Sequence, residues 1–408
     1  FVLFVPQTSS ATTWPVLIFM HGISRSKEDA LAMASAACSA GYAVIAIDQA
    51  VHGYPSGTGS FTPPGVPGMG NGRPQSEWAS NFFMLPSSLT ARANIYDSAF
   101  NLWRLERILN EPSADPSSLT SALSAATASA GAFPFSAQAS LNTGATTHKF
   151  AGQSLGSIVG TVFLAGNSGA TGGSNMPGFL SVPGSRLAFI LHDSPAFKST
   201  VDAGLAAAGI PTDSPTYNKF FVLAQSVADS ADPATMLTPL LTGGSATPRF
   251  TNRLAVQEAV GDLVIPNAEG NYWGNALGGR TAQFGADVSG GFTQVLASGQ
   301  SSPALQFMFG TSYTTFKTAV AAATGAATTP KQGFFQFGTA GTPATHGLLL
   351  DGSANTVAAQ TQLARWLATG LITDGAAAYP IRAGAPAPTA PSLLYGPANL
   401  QIYCPTGK

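Results

Sequence analysis

The chain has 408 residues, 45% of them hydrophobic and only 9% charged, with 18 Lys and Arg against 19 Asp and Glu and a formal net charge of −1. An average soluble protein carries roughly 25% charged residues, and no basic or acidic run stands out here. That argues against nucleic acid as a partner, which needs clustered Lys and Arg, and against electrostatic attachment to anionic membranes; no stretch approaches the length of an apolar bilayer span.

The first residue is Phe1 rather than Met, and Phe1 to Pro6 already reads as a strand, so a processed or trimmed product is expected. The neutral, Lys-poor composition suits a secreted enzyme facing uncharged substrates. Val16 to Met20 is a continuous apolar run of the kind found in buried parallel strands. Ser26-Lys27-Glu28-Asp29 has capping-box form and opens an Ala-rich helix to about Ala40, which Gly41 ends. Tyr42 to Ile47 is a second apolar strand. Strand, helix, strand at this spacing makes a βαβ unit and a mostly parallel sheet.

Residues 53 to 90 are dense in Gly and Pro and read as a long insertion. A helix follows from Leu89 to Asn110, with Ile95, Ala99, Leu102 and Leu109 on one face. Residues 112 to 146 are Ser/Ala-rich and ambiguous. A short strand, Lys149 to Ala151, leads into a helix from Leu155 to about Ala165. Residues 166 to 185 read as a loop and Leu187 to Leu191 as another apolar strand. Segment 195 to 245 carries helix signals at Val201 to Ala208 and Phe220 to Val227, and suits a cap. Leu254 to Val260 and Phe334 to Phe337 read as strands on either side of a third insertion, 267 to 330. Ser353 can cap a last helix to Leu367, ended by Gly370, and a tail, 371 to 408, carries the Pro-rich run Gly384 to Pro391. No internal repeat is visible. One α/β domain spanning residues 1 to 408, with three insertions, is expected.

Two cysteines, Cys38 and Cys404, could tie the tail to the body in an oxidising compartment, or stand as two buried thiols. Neither has a Cys or His at ligand spacing, so no metal or redox site is expected.

The informative stretch is Gly152-Gln153-Ser154-Leu155-Gly156, which fits G-x-S-x-G between a strand and a helix. In that setting the serine occupies a sharp, strained turn with its hydroxyl pushed out of the sheet, and small residues two before and two after let strand and helix approach. A serine is a poor nucleophile without a base to take its proton and an acid to orient that base. Of five histidines, His346 is the best base, on a loop after a late strand and flanked by small residues. Asp262, at the end of the preceding strand, is the expected acid; Asp193 is the alternative, and Asp351 lies too close to His346 in sequence. The order Ser154, Asp262, His346 is the one α/β-hydrolases use. An oxyanion needs preorganised N–H donors, and the amides of Leu155 and of Ile23, in His21-Gly22-Ile23, are expected to supply them. Phe61, Met69, Trp78, Phe82, Phe83, Tyr272 and Trp273 are candidates for an apolar acyl pocket or lid, or for packing of the insertions.

The blocks HGISRSKEDALAMASAACSAGYAVIAIDQAVHG, GQSLGSIVGTVFLA, VQEAVGDLVIPNAEGN and ATHGLLLDG resemble the bacterial extracellular lipases of the α/β-hydrolase superfamily known as virulence-factor (VolA-like) lipases. The resemblance runs in blocks over roughly residues 14 to 370. It implies an α/β-hydrolase fold, ester hydrolysis on lipidic substrates, secretion or surface anchoring, and no cofactor; relatives of this general kind also attack polyesters. Such enzymes more often carry His where this chain has Gln153, a position taken as tolerant. They also usually have sequence upstream of the first buried strand, which places Phe1 within the family's domain. A serine peptidase, needing a charged pocket for a peptide terminus, and a catalytically silent relative used for binding are the alternatives.

Overall fold

The computed structural model describes residues 1–6, 13–53, 74–84, 87–110, 119, 121, 140–141, 148–167, 176–212, 214–236, 254–267, 293–294, 333–337, 344–369, 389–395 and 401–406. Twelve strands occur among them: β1 (Val2–Phe4), β2 (Thr13–Trp14), β3 (Val16–Met20), β4 (Ala43–Ala46), β5 (Ser140–Leu141), β6 (Lys149–Gln153), β7 (Gly178–Ser181), β8 (Leu254–Ala259), β9 (Thr293–Gln294), β10 (Gly333–Phe337), β11 (Thr389–Tyr395) and β12 (Gln401–Thr406). Ten form one sheet in the order β11-β12-β1-β4-β3-β6-β7-β8-β10-β9, and β2 pairs with β5 separately. The run from β4 through β3, β6, β7, β8 and β10 to β9 is parallel throughout. Only β1 against β4, and β11 against β12, are antiparallel. A mostly parallel central sheet flanked by helices is the expected α/β-hydrolase architecture.

Strands β3 and β4 read as unbroken apolar runs because helices cover both faces. Along β3, Val16, Ile18 and Met20 join one core with Ile95 and Leu102 of α3 (Ser88–Leu109) and Ile158 and Val162 of a central helix, Leu155–Gly166. The alternate residues, Leu17 and Phe19, join the opposite core. There they meet Met33 and Ala37 of α1 (Ala30–Ser39) and Leu363 and Trp366 of the last helix, Ala354–Thr369. The remaining helices are α2 (Trp78–Phe83) and three that follow β7: α5 (Leu187–Asp193), α6 (Lys198–Ala207) and α7 (Pro215–Ala228). In chain order the central helix is α4 and the last is α8. Helices α5 to α7 share a small core of their own, built on Val201, Leu205, Tyr217 and Phe221.

Two expectations are corrected. Leu187 to Leu191 is not a strand but the body of α5, and the strand is β7, inside a segment read as loop. A five-residue apolar run does not distinguish helix from strand by periodicity. Tertiary partners decide it: Asp232 accepts from the amides of Arg186 (2.9 Å) and Leu187 (2.6 Å), and Gln225 from Ala188 (3.0 Å), which caps a helix N-terminus. The capping box at Ser26 is also absent. Ser26 makes no side-chain cap bond to the 3-10 turn Lys27–Asp29. The Lys27 amide is taken by Asp48 at 2.9 Å instead, and Asp29 pairs with Arg25.

Cys38 is partly buried on α1, and no disulfide is seen among the described side chains. Cys404 lies on β12 with its side chain outside them. No helix among the described residues is long and apolar enough to cross a membrane.

Candidate active site

Sheet register assembles the site. Met20 pairs with Gly152 and Gln153 with Ser181, so the ends of β3, β6 and β7 meet at Ser154. Ser154 has φ 56° and ψ −122°, a sparsely populated backbone state whose cost is about 1–3 kcal/mol. The surroundings over-determine it. Its amide donates to Ser181 O at 2.9 Å, and its carbonyl accepts from the amides of Ser157 (2.8 Å) and Ile158 (3.1 Å). The buried Ser157 hydroxyl lies 2.7 Å from Gly152 O and 2.9 Å from Ser181 O, pinning the turn to both strands. The flanking glycines are required by contact: a Cβ at Gly156 would fall 2.1 Å from Met20 O, and one at Gly152 2.6 Å from the Gly156 backbone.

His346 sits in the turn after β10, with Nε2 2.7 Å from Ser154 Oγ and Nδ1 2.7 Å from Asp262 Oδ2. Asp262 is almost fully buried, and its other oxygen accepts from the amides of Val264 (2.8 Å) and Ile265 (3.0 Å). The structure therefore brings the three expected residues into one hydrogen-bonded line. The alternatives lie elsewhere. Asp193 pairs with His192 at the exposed end of α5, and Asp351 accepts from Ser353 N and Thr356 Oγ1 at the start of α8.

The turn after β3 lies against the serine: a Cβ on Gly22 would stand 3.3 Å from Ser154 Cβ and 3.7 Å from its Oγ. Ile23 and Leu155 both border the cleft with Ser154. Among the described residues neither of their amides has a hydrogen-bond acceptor. Leu155 N is at the head of α4, where helix geometry leaves the first amides unpaired. Two N–H groups beside a hydroxyl–imidazole–carboxylate line form an arrangement able to hold a developing oxyanion while a proton moves from oxygen to nitrogen.

The cleft spans about 320 Å³, counting the solvent-open space at its mouth, and among the described residues the side chains that line it are apolar apart from Ser154. Its walls come from Ile158 of α4, Leu187, Ile190 and Leu191 of α5, and Val264 and Ile265 after β8. Of the large apolar residues expected at a pocket or in packing of the insertions, Phe83 lines it. Trp78 and Phe82 are instead fully buried. Phe61, Met69, Tyr272 and Trp273 lie outside the described residues.

Sequence reasoning missed several residues. Gln153, treated as tolerant, donates from Nε2 to His346 O at 2.6 Å and ties the histidine turn to the serine turn. Its signal was adjacency to Ser154. Leu187 and Ile190 carried no signal, because their segment read as a strand. His52, buried beneath the turn after β3, accepts at Nε2 from Ser24 N at 3.1 Å and contacts Ala50 O through Nδ1 at 2.8 Å. Burial, against the opposing pull of Asp48, keeps His21 below its ordinary pKa, and burial takes His52 down to about 4.

No family model and no curated protein matches the sequence. Among solved structures the chain is similar to carboxyl esterase 2 of the mycorrhizal fungus Tuber melanosporum, at 11% identity over 89% of this chain and 79% of that one, TM-score 0.37. It is also similar to a hydrolase from Pseudomonas aeruginosa, at 16% identity over 77% and 91%, TM-score 0.29. A third is Est1E from Butyrivibrio proteoclasticus with ferulic acid bound, at 11% identity over 66% of this chain and 78% of that one, TM-score 0.33. Likenesses this distant leave the chemistry to be argued from the chain's own residues.

Proposed function

We propose that this protein is a serine carboxylesterase or lipase acting on uncharged, lipidic or polyester-type carboxylic esters through an acyl-enzyme. The observation that carries the reading is the unbroken line Ser154 Oγ, His346, Asp262, with 2.7 Å at each link. Ser154 Oγ bonds to the ester carbonyl carbon as its proton passes to His346 Nε2 and the carbonyl π pair moves onto oxygen. Asp262 holds the imidazolium, and the amides of Ile23 and Leu155 hold the oxyanion. The oxyanion pair re-forms the carbonyl, the C–O bond to the alcohol breaks, and His346 returns the proton to that oxygen. Water then repeats the sequence on the acyl-enzyme, His346 taking its proton and giving it back to Ser154.

The substrate class rests on the cleft, whose walls among the described residues are apolar and offer no ion partner for a charged acyl group or a peptide terminus. That weighs against a peptidase. The narrower likeness to VolA-like lipases, a secreted or surface location in a bacterium, and a single domain covering the chain belong to the same proposal and rest on the sequence.

Ser154→Ala tests it. The variant is expected to melt like the wild type, hydrolyse p-nitrophenyl butyrate at least a thousandfold more slowly (order of magnitude), and take up no fluorophosphonate label. Full labelling or activity in the variant sinks the proposal, and an unreactive wild type favours a silent binding protein.

A further inference from the structure

The turn that presents Ile23 N–H has no regular secondary structure to fix it, and Ser24, the next residue, has φ 56°, a left-handed conformation that a serine adopts only under constraint. Two side chains from distant parts of the chain hold that one residue. His52 Nε2 accepts the Ser24 amide proton at 3.1 Å, and Gln75 Nε2 donates to the Ser24 carbonyl at 2.8 Å. Because Nε2 is an acceptor, the neutral ring carries its proton on Nδ1, and that proton goes to Ala50 O at 2.8 Å. The ring is in turn wedged between Trp78 and Phe82, with centroids 5.5 Å away in each case, and stands 5.3 Å from His21.

His21 repeats the pattern one strand end away. Its Nε2 accepts from Gln49 N at 3.1 Å, while Nδ1 lies 2.8 Å from Gly22 O. Two imidazoles thus cross-link the turn after β3 to the turn after β4. Neither ring touches Ser154 or borders the cleft, so neither has a chemical part in the proposed reaction. Both are held neutral by burial, which suits an acceptor that must not be protonated.

We infer that His52, with Gln75, is a positioning residue: by clamping Ser24 N–H and C=O it fixes the strained turn that aims the Ile23 amide at the oxyanion. The inference rests on the serine-hydrolase reading. A displaced oxyanion donor weakens the transition state while leaving ground-state binding alone, because a substrate carbonyl does not yet carry the charge. Loss of the clamp therefore lowers kcat and leaves KM.

His52→Phe keeps an aromatic ring against Trp78 and Phe82 and removes the acceptor. The test compares it with the wild type, Ser154→Ala and Gln75→Ala on p-nitrophenyl butyrate, together with inhibition by an alkyl trifluoromethyl ketone, whose hemiketal with a serine places an anionic oxygen in the hole. His52→Phe should lose roughly 10- to 100-fold in kcat, part of the effect of deleting a donor outright, with KM within about twofold and the inhibition constant raised by the same factor as kcat falls. Gln75 is exposed, so Gln75→Ala should fold regardless and lose about three- to tenfold in kcat, again tracked by the inhibition constant. His52→Gln, which retains an acceptor, should recover part of the loss. Unchanged kcat in folded His52→Phe overturns the inference, and so does a loss of kcat with unaltered inhibition. If His52→Phe does not fold, the same two outcomes in Gln75→Ala decide. Absence of any Ser154-dependent hydrolysis in the wild type overturns the hydrolase reading and the inference with it. Wild-type hydrolysis with insensitive variants overturns the inference alone.

Discussion

Asp262→Asn isolates one proton. The Oδ1 of Asp262 accepts from the amides of Val264 and Ile265, at 2.8 and 3.0 Å, while Oδ2 faces His346 Nδ1 at 2.7 Å. In the asparagine variant the carboxamide oxygen must stay on those two amides, since an NH2 group there would set donor against donor. The NH2 then faces Nδ1, so the imidazole has to accept at Nδ1 and carry its proton on Nε2. That proton points at Ser154 Oγ, 2.7 Å away, and the ring can no longer take the hydroxyl proton. The wrong tautomer in a triad costs about 10⁴ in kcat, or roughly 5.4 kcal/mol. The assay is kcat for p-nitrophenyl butyrate beside a thermal melt, with the packing around Asp262 unchanged in size. Asp193→Asn, on the exposed end of α5, is expected to keep wild-type kcat. A folded Asp262→Asn enzyme within tenfold of wild type, or a collapse in Asp193→Asn, refutes the assignment of the acid.

Gly156→Ala drives a Cβ to 2.1 Å from Met20 O and 2.6 Å from His21 O, backbone atoms that move only with β3. It is expected to destabilise by about 1–3 kcal/mol or more and to lose activity, read by urea denaturation; an unchanged midpoint contradicts the close approach. Gln153→Leu releases the His346 carbonyl, and a loss of about two- to tenfold in kcat is expected from one such bond, with fluorophosphonate still incorporated; wild-type kcat would show that the histidine turn needs no tether. The third concerns acid. His52 titrates at about 4 in the folded chain against an ordinary 6.5. The unfolded chain therefore binds its proton first, and about 3 kcal/mol of stability is lost as pH falls from about 6.5 to about 4. Burial of His21 acts in the same direction, opposed by Asp48, 3.8 Å from its ring. The urea midpoint of the wild type should drop over that window more steeply than that of His52→Phe, and equal slopes contradict it.

The residues of the proposed triad were legible because each stands in a turn after a strand, and sequence marks each turn independently. Gly152 and Gly156 bracket Ser154, Gly261 precedes Asp262, and small residues flank His346. The core strands were legible because both faces are covered, which leaves runs such as Val16 to Met20 without a polar position. Where the reading failed, the deciding partner was far away in sequence. Whether Leu187 to Leu191 coils or extends depends on Asp232 and Gln225 reaching its first amides. β7 is four residues long between Met176-Pro177 and Pro183-Gly184, too brief to show a period. Beside Phe83, much of the described cleft wall is built by aliphatic residues of α5 and of the turn after β8, which carry no signal of their own in the sequence. An amphipathic pattern records that a side chain is covered. It does not record whether the cover is a neighbouring helix or a space left for a ligand.

Three buried or half-buried histidines now bear on the same cleft, and their hydrogen bonds separate them in a way that position in the chain does not. Each uses both ring nitrogens, and each, when neutral, fits a proton on Nδ1 and an acceptor at Nε2. His21 and His52 turn that acceptor toward backbone amides, of Gln49 and Ser24, and their Nδ1 toward backbone carbonyls. An amide nitrogen does not surrender its proton near neutral pH, so neither ring has a proton to take at Nε2. Those rings can only hold. His346 has the same two contacts filled by groups of different chemistry: a hydroxyl that gains nucleophilicity as its proton leaves, and a carboxylate that gains a countercharge as the ring becomes cationic. A residue's role here follows from the acidity of the group at one nitrogen and the charge at the other. By that criterion, of these three rings only His346 can run the proposed proton cycle, and the other two serve it best by never being protonated.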